Sequence, residues 1–483
     1  MRLYRLLVLG LAACGVEYEP PGAVVAPTPR ATWYQDVAPI VAAKCAGCHQ
    51  DGGIAPFALT DPGAGMEHAG QMLVEVDKGA MPPFDAREEH GAAGCTPRFG
   101  WKDDARLTVS EKATLHAWVE DGFALGSEVA MPAPPATTLD GVSKTLAPAR
   151  GFAASGTRDQ FMCTIMDPGN AQLAWMTGLQ VRPGNALVVH HVVVTELQPG
   201  PELDAALAAH QVGVPFDCGA QATPASFVIS IWTPGNQPMQ TPDQLAVPII
   251  GGAKIVMQIH YHPNGATAAP DTTAIDLRFS TVWPSKMYFV TAFGNAADAA
   301  QGLLADPDDV GAPAFKIPAG RSDHVETMKV AIPDITNLGD VRLYSANPHM
   351  HLVGTHIEST IDRLAPPPGQ PASECLANGG WNFDWQRTYA YAAPLEALPS
   401  IQTGDTLTVK CHWNNTIENP FVQRLLHDAN MVAPVDLVLG EQTTNEMCLG
   451  IFGLVLDAPA PPAAPDRTVG IAVPSLALRA SLR

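Results

Sequence analysis

From residue 151 to about residue 456, apolar and polar positions alternate over short runs broken by Pro and Gly, the pattern of β-strands joined by turns. Upstream, the period changes. Tyr34, Val37, Ile40 and Val41 recur at helical spacing. Leu115, Trp118 and Val119 do the same after a Thr108/Glu111 capping box, in a helix expected to stop near Gly122. Two helices bracketing a loop are therefore expected over residues 31–126. Pro/Ala-rich linkers are expected at residues 14–30 and 127–150, with a low-complexity tail from 457 to 483. No internal repeat is visible.

The first residues read as targeting, not fold. Arg2 and Arg5 flank an apolar run that ends Leu11-Ala12-Ala13-Cys14, too short to span a bilayer. Residues 1–13 are thus expected to be a secretory signal. Small residues before a cysteine resemble the bacterial lipobox, which would leave Cys14 as a lipidated N-terminus. The competing reading is an ordinary signal with an incidental cysteine. No later segment is a convincing membrane span, so an exported lipoprotein, periplasmic or at the cell surface, is expected, held at the membrane by its lipid anchor only. A formal charge of −20 with no long basic run argues against nucleic acid as a partner. Setting aside Cys14, Cys45 and Cys48 leaves Cys95, Cys163, Cys218, Cys375, Cys411 and Cys448, an even set that predicts disulfides in an exported chain.

Cys45-Ala-Gly-Cys48-His49 is the c-type haem attachment motif. Two thiols at this spacing can bond the vinyl groups, and the next residue can ligate the iron. A zinc site would need a second ligand pair, and none is evident nearby. The segment resembles small cytochromes c, which implies one haem c and a methionine as sixth ligand. Met66, Met72 and Met81 are the candidates. Met81 leads, because Gly79-Ala80-Met81-Pro82-Pro83 resembles the ligand loop of such cytochromes, while core packing is expected for Met66 and Met72.

Three strand-like runs carry histidines: His190 and His191, then His260 and His262, then His349 and His351. His349 and His351 share a strand face and can grip one metal. His190 and His191 would point oppositely unless a bulge re-aims one of them. A lone strand histidine is usually structural, but burying this many imidazoles without partners would be costly. Imidazoles with open positions suit copper or zinc, and a thioether tilts the choice to copper.

The order of these motifs resembles the copper type II, ascorbate-dependent monooxygenases, the peptidylglycine α-hydroxylating and dopamine β-monooxygenase family. The matches are Val189-His190-His191, Gln258-Ile-His260-Tyr261, His349-Met-His351 and Glu446-Met447-Cys448. The resemblance implies two successive, mainly antiparallel β-sandwich domains, at 151–285 and 286–456, each holding one copper across a solvated cleft. It implies that His190, His191 and His260 hold an electron-transfer copper, and that His349, His351 and Met447 hold the copper that meets O2 and hydroxylates a C–H bond of a small-molecule substrate. His262 is then a neighbour. The resemblance also implies disulfides Cys163–Cys218 and Cys411–Cys448, leaving Cys95 and Cys375 either paired across domains or free.

Amidating members carry an Arg two residues before the His-x-His pair, where Asn347 stands here; Leu449 and Ile451 replace their Asn and Tyr. A substrate other than a peptide carboxylate is expected. Electrons are expected from ascorbate or from a periplasmic or membrane donor, relayed by the tethered haem to the His190/His191/His260 copper. The rival readings are a non-catalytic copper-binding or electron-transfer protein and a zinc hydrolase.

Overall fold

The structure, a computed structural model, describes residues 30–461 except 52, 87–93, 135, 220–226, 264, 266–267, 296–301 and 441. Cys14, the signal, most of the first linker and nearly all of the tail lie outside the described residues. Those residues are mainly β, arranged as stacked antiparallel sheets. A five-stranded sheet runs in the order Phe216–Asp217, Gln160–Met166, Lys254–Tyr261, Val189–Leu197, Phe227–Trp232. A four-stranded sheet runs His324–Ala331, Thr406–Trp413, Gly354–Asp362, Ser373–Gly380. A ten-stranded sheet is common to both halves. It begins at Lys144–Leu146 and Ala274–Ser280 and ends at Cys448–Asp457, Val341–His349 and Tyr389–Ala390. The halves meet where Lys286 and Met287 pair in parallel with Leu245 and Ala246.

Alternation explains the burial. In Thr406–Trp413 every second residue is buried, so Leu407, Val409, Cys411 and Trp413 face the core while Thr408, Lys410 and His412 face out. One hydrophobic cluster runs through both halves, from Val192, Met257 and Leu277 to Leu343, Ile361 and Phe452. Three disulfides are formed: Cys163–Cys218, Cys411–Cys448 and Cys95–Cys375. Disulfides on this scale are consistent with an oxidising compartment. Among the described residues no helix is long and apolar enough to cross a membrane.

The N-terminal part holds three helices with a core of their own around Trp33, Val37, Leu115 and Trp118. A single π turn, Trp33–Val37, runs into Ala38–Lys44. Val109–Glu120 carries the Thr108/Glu111 capping box, and Gly122, at φ 75°, turns the chain just after it. Between them lies Pro62–Asp77, a helix where a loop was expected. Its signal was present: Asp61 accepts hydrogen bonds from Gly63 N and Ala64 N, and Pro62 sits at the first helical position. Met72 is in this core as expected, whereas Met66 is exposed.

Two further expectations change. The linker placed over 127–150 ends in Lys144–Leu146, a strand paired with Ala274–Ser280. Residues 84–86 and 94–105, assigned to the small helical domain, pack on the second sandwich instead, with Phe84, Ala86 and Trp101 in its core.

Candidate functional site

His190 and His191 stand at the start of Val189–Leu197, and its register against Lys254–Tyr261 shifts between Val189 and His191. That irregularity lets adjacent histidines turn to one side. His191 pairs with His260 across the two strands. The Nδ1 atoms of His190 and His191 are 3.1 Å apart, and those of His191 and His260 are 3.3 Å apart. Metal–imidazole bonds of about 2.0 Å in tetrahedral geometry separate ligand nitrogens by about 3.3 Å. Burial holds His190 and His191 well below the ordinary histidine pKa, so each keeps a lone pair. The three rings meet edge to face with their ring nitrogens drawn together, an arrangement that a shared cation would stabilise. The donors fit a metal ion.

Asp159 lies behind this cluster. His260 Nε2 is 3.3 Å from Asp159 Oδ1 but off the line of a hydrogen bond, so this buried nitrogen has no hydrogen-bond partner. His262 Nδ1 bonds the same oxygen at 2.8 Å, which turns His262 outward from the three-ring cluster. Burial alone would raise the Asp159 carboxyl; His260 and His262 hold it far below the usual carboxylate range. A carboxylate behind a ligating imidazole orients the ring and raises its basicity.

His349 and His351 are at the end of Val341–His349 and just beyond it. Gln386 Nε2 donates to Phe383 O at 3.1 Å, so its Oε1 faces His349 Nδ1, 3.0 Å away. His351 Nδ1 donates to Asn445 O at 3.1 Å. Both rings therefore present Nε2. Burial lowers His349 to about 4 and His351 to about 3, so both are neutral at physiological pH. His349 pairs with Leu449 across the sheet, and Leu449 clusters with Met447 and Ile451. Met447 is thereby on the His349 face of the adjacent strand.

Glu446 positions this second group. It is fully buried and accepts from His351 N at 3.0 Å, Val353 N at 2.8 Å and Trp413 Nε1 at 2.9 Å. Burial pushes its carboxyl up to about 7. The sequence reading used Glu446 only as motif context and missed Asp159 and Gln386 altogether. The two groups do not face across an open cleft. Phe383 stacks on His190 at 4.5 Å, and Thr443 Oγ1 donates to Asp159, tying the loop before Met447 to the first group.

Among the described residues only Cys45 and Cys48 are free thiols. His49 Nδ1 donates to Phe57 O at 3.1 Å, leaving Nε2 to ligate, and burial keeps the ring neutral. The thiol pair and His49 fit a covalently held haem. Met81 is 42% exposed, just past the helix Pro62–Asp77, and would have to turn inward to reach iron.

A cavity of about 410 Å³ lies against the Met447 cluster, lined among others by Asn347, Ile451, Val290 and Tyr288, with Lys102 and Arg387 at its polar side. Asn347 Nδ2 donates to Thr388 Oγ1 at 2.8 Å. Elsewhere, Asp306, Asp308 and His324 also approach one another. There Asp308 already pairs with Arg321, and His324 Nε2 with Glu326 at 3.0 Å.

No protein-family model matches the chain, and no curated protein matches it. Among solved structures, the major capsid protein P2 of bacteriophage PM2 aligns at 11% identity over 66% of this chain and 98% of its own, with a TM-score of 0.24. A peptide-N(4)-(N-acetyl-β-D-glucosaminyl)asparagine amidase aligns at 10% identity over 61% and 99%, with a TM-score of 0.21. Allantoicase aligns at 10% over 55% and 80%, with a TM-score of 0.17. Overlaps this slight carry no functional argument.

Proposed function

We propose that the chain is a copper-dependent monooxygenase that hydroxylates a C–H bond of a small molecule with O2, its electrons relayed by a haem c on the helical unit. The observation behind this reading is the convergence of the His190, His191 and His260 imidazoles beside a second pair, His349 and His351, whose Nε2 atoms are both free. Bound copper would supply one-electron chemistry and O2 activation. The chain's residues do the rest. His190, His191 and His260 hold one ion, with the Asp159 carboxylate 3.3 Å behind His260. His349, His351 and Met447 hold the other, with Gln386, Asn445 and Glu446 fixing the donor atoms. Cys45, Cys48 and His49 hold the haem, and Met81 is assigned as its sixth ligand. The thioether favours the reduced metal that must meet O2. A cavity of substrate size, lined by Ile231, Val290 and Ile451 of the apolar cluster that includes Met447, favours catalysis over a copper store or relay. A lipid anchor on Cys14 would keep the enzyme at the membrane surface, within reach of a periplasmic or membrane donor as well as ascorbate.

The test is metal analysis with oxygen uptake. After anaerobic copper reconstitution, the full chain should hold two coppers and one haem iron. Met447→Ala should abolish reductant-driven oxygen uptake and leave the haem spectrum unchanged. Stoichiometric zinc, with no uptake restored by copper, would defeat the reading.

A further inference from the structure

The helical unit is joined to the second sandwich by more than its linker. Trp101 stacks on Tyr391 at 5.0 Å, and Cys95 is bonded to Cys375. Lys102 N donates to Ala390 O and Ala392 N to Gly100 O, each at 2.8 Å. Arg98 Nε meets Glu374 Oε1 at 2.6 Å, on a carboxylate that also holds Arg363. Asp85 O lies so close to Gly379 that a Cβ there would stand 2.0 Å from it. A close-packed, covalently stapled strap of this kind leaves no freedom for a tethered domain to swing.

Residues 381–386 touch both histidine groups and the loop that carries Met81. Trp381 Nε1 donates to His351 O at 2.8 Å, and its ring is 5.8 Å from His349. Phe383 stacks on His190, and Gln386 bonds His349. Trp385 Nε1 donates at 3.0 Å to Pro83 O, two residues from Met81, and its ring fills the space a Cβ on Gly235 would need.

We propose that residues 381–386 form a fixed electron bridge from the Met81–Pro83 loop of the helical unit to both histidine groups, with residues 84–86 and 94–105 holding that unit in one docked position. The proposal rests on the haem and copper reading above. In the step itself ferrous haem gives one electron to Cu(II), leaving ferric haem and Cu(I). No bond forms or breaks, no proton moves, and ascorbate or another one-electron donor restores the haem. Trp385 is a positioning residue: it sets the helical unit against the bridge.

Two experiments test this. In the first, a protease site is placed in the linker before residue 139 of a Cys95→Ser/Cys375→Ser chain, so that cleavage removes every covalent link. The fragments should co-elute on gel filtration; separation would overturn the docking, and this readout needs neither cofactor. Should the double variant not fold, the cleaved natural chain under reductant gives the same comparison. In the second, anaerobic stopped-flow follows ferrous-haem decay in the copper-loaded full chain after a limiting pulse of ascorbate. The rate should not change with solvent viscosity, as expected of a docked donor. Trp385→Leu and Trp385→Phe, which both lose the indole N–H held by Pro83 O, should each slow it by an order of magnitude at unchanged metal content and haem spectrum. A rate that falls with viscosity, or a rate in either Trp385 variant equal to the natural one, would overturn the bridge. Failure of the underlying reading shows separately, as absence of the haem band or of bound copper before any kinetics.

Discussion

Glu196 is 3% exposed, and burial pushes its carboxyl up to about 7 despite a hydrogen bond from Ile250 N at 2.8 Å. The folded state therefore binds a proton more tightly than the unfolded chain, so stability is full below about 4.5 and is lost as pH rises toward about 7. Glu196→Gln keeps an acceptor but cannot ionise. It should stabilise the protein at pH 8 by up to about 3 kcal/mol and change little at pH 4. Denaturant melts at the two pH values check this, and an equal effect at both would mean the carboxyl is not desolvated in the fold. Met81 gives a second test at this scale. Met81→Ala should convert a low-spin c-type spectrum to a high-spin, ligand-accessible one, whereas Met72→Ala should loosen the helical core and leave the ligation alone. An unchanged Met81→Ala spectrum would move the sixth ligand elsewhere. The attachment motif and the histidine pairs were legible because their donors are neighbours in sequence. Glu446 and Gln386 were not, because each acts on a histidine 95 or 37 positions away, a relation set by strand register.

At the scale of elements, strands read well wherever one face is buried, since period two follows directly from the pleat. The helix Pro62–Asp77 was harder to read. Gly63, Gly65 and Gly70 lower its propensity, and its apolar stripe is thin. One of those glycines has a packing reason. A Cβ on Gly65 would stand 2.3 Å from the Trp33 ring, so the helix can approach that indole only without a side chain. Gly70 meets nothing within 4 Å. The two should respond oppositely to alanine. Gly70→Ala should stabilise the helix by up to about 1 kcal/mol, the ordinary propensity gain. Gly65→Ala should lose about 1–3 kcal/mol to overpacking, because a fully buried tryptophan cannot step aside. Hydrogen exchange of the helix amides in the full chain measures both. Stabilisation by both variants would show that Trp33 is free to move.

For the whole molecule, what matters is that the cavity has walls from both halves of the β region and from the strap packed on the second. Phe84 and Lys102 come from the strap, Trp232 and Met239 from the first half of the β region, and Asn347, Arg387 and Ile451 from the second. Sequence order could suggest which residues ligate metal, but not that a segment placed in the helical domain would line this cavity, since Cys95 and Cys375 are 280 positions apart in sequence. The cavity bears directly on substrate. Asn347 stands where an amidating enzyme would hold a peptide carboxylate, and its amide is committed to Thr388. An amide cannot replace a bidentate guanidinium, so glycine-extended peptides should be turned over poorly, with Asn347→Arg improving them. The structure names the group that could defeat this expectation. Arg387 lines the same cavity, and its guanidinium packs over Trp385 at 5.6 Å, whereas Lys102 is tied to Tyr344 Oη at 3.0 Å. If the natural chain hydroxylates a glycine-extended peptide efficiently and Arg387→Gln removes that activity, the carboxylate site has moved across the cavity and the expectation of a substrate other than a peptide carboxylate is wrong. If turnover is poor and Asn347→Arg restores it, position 347 decides the substrate, and the natural ligand is a molecule that needs no cation at that end.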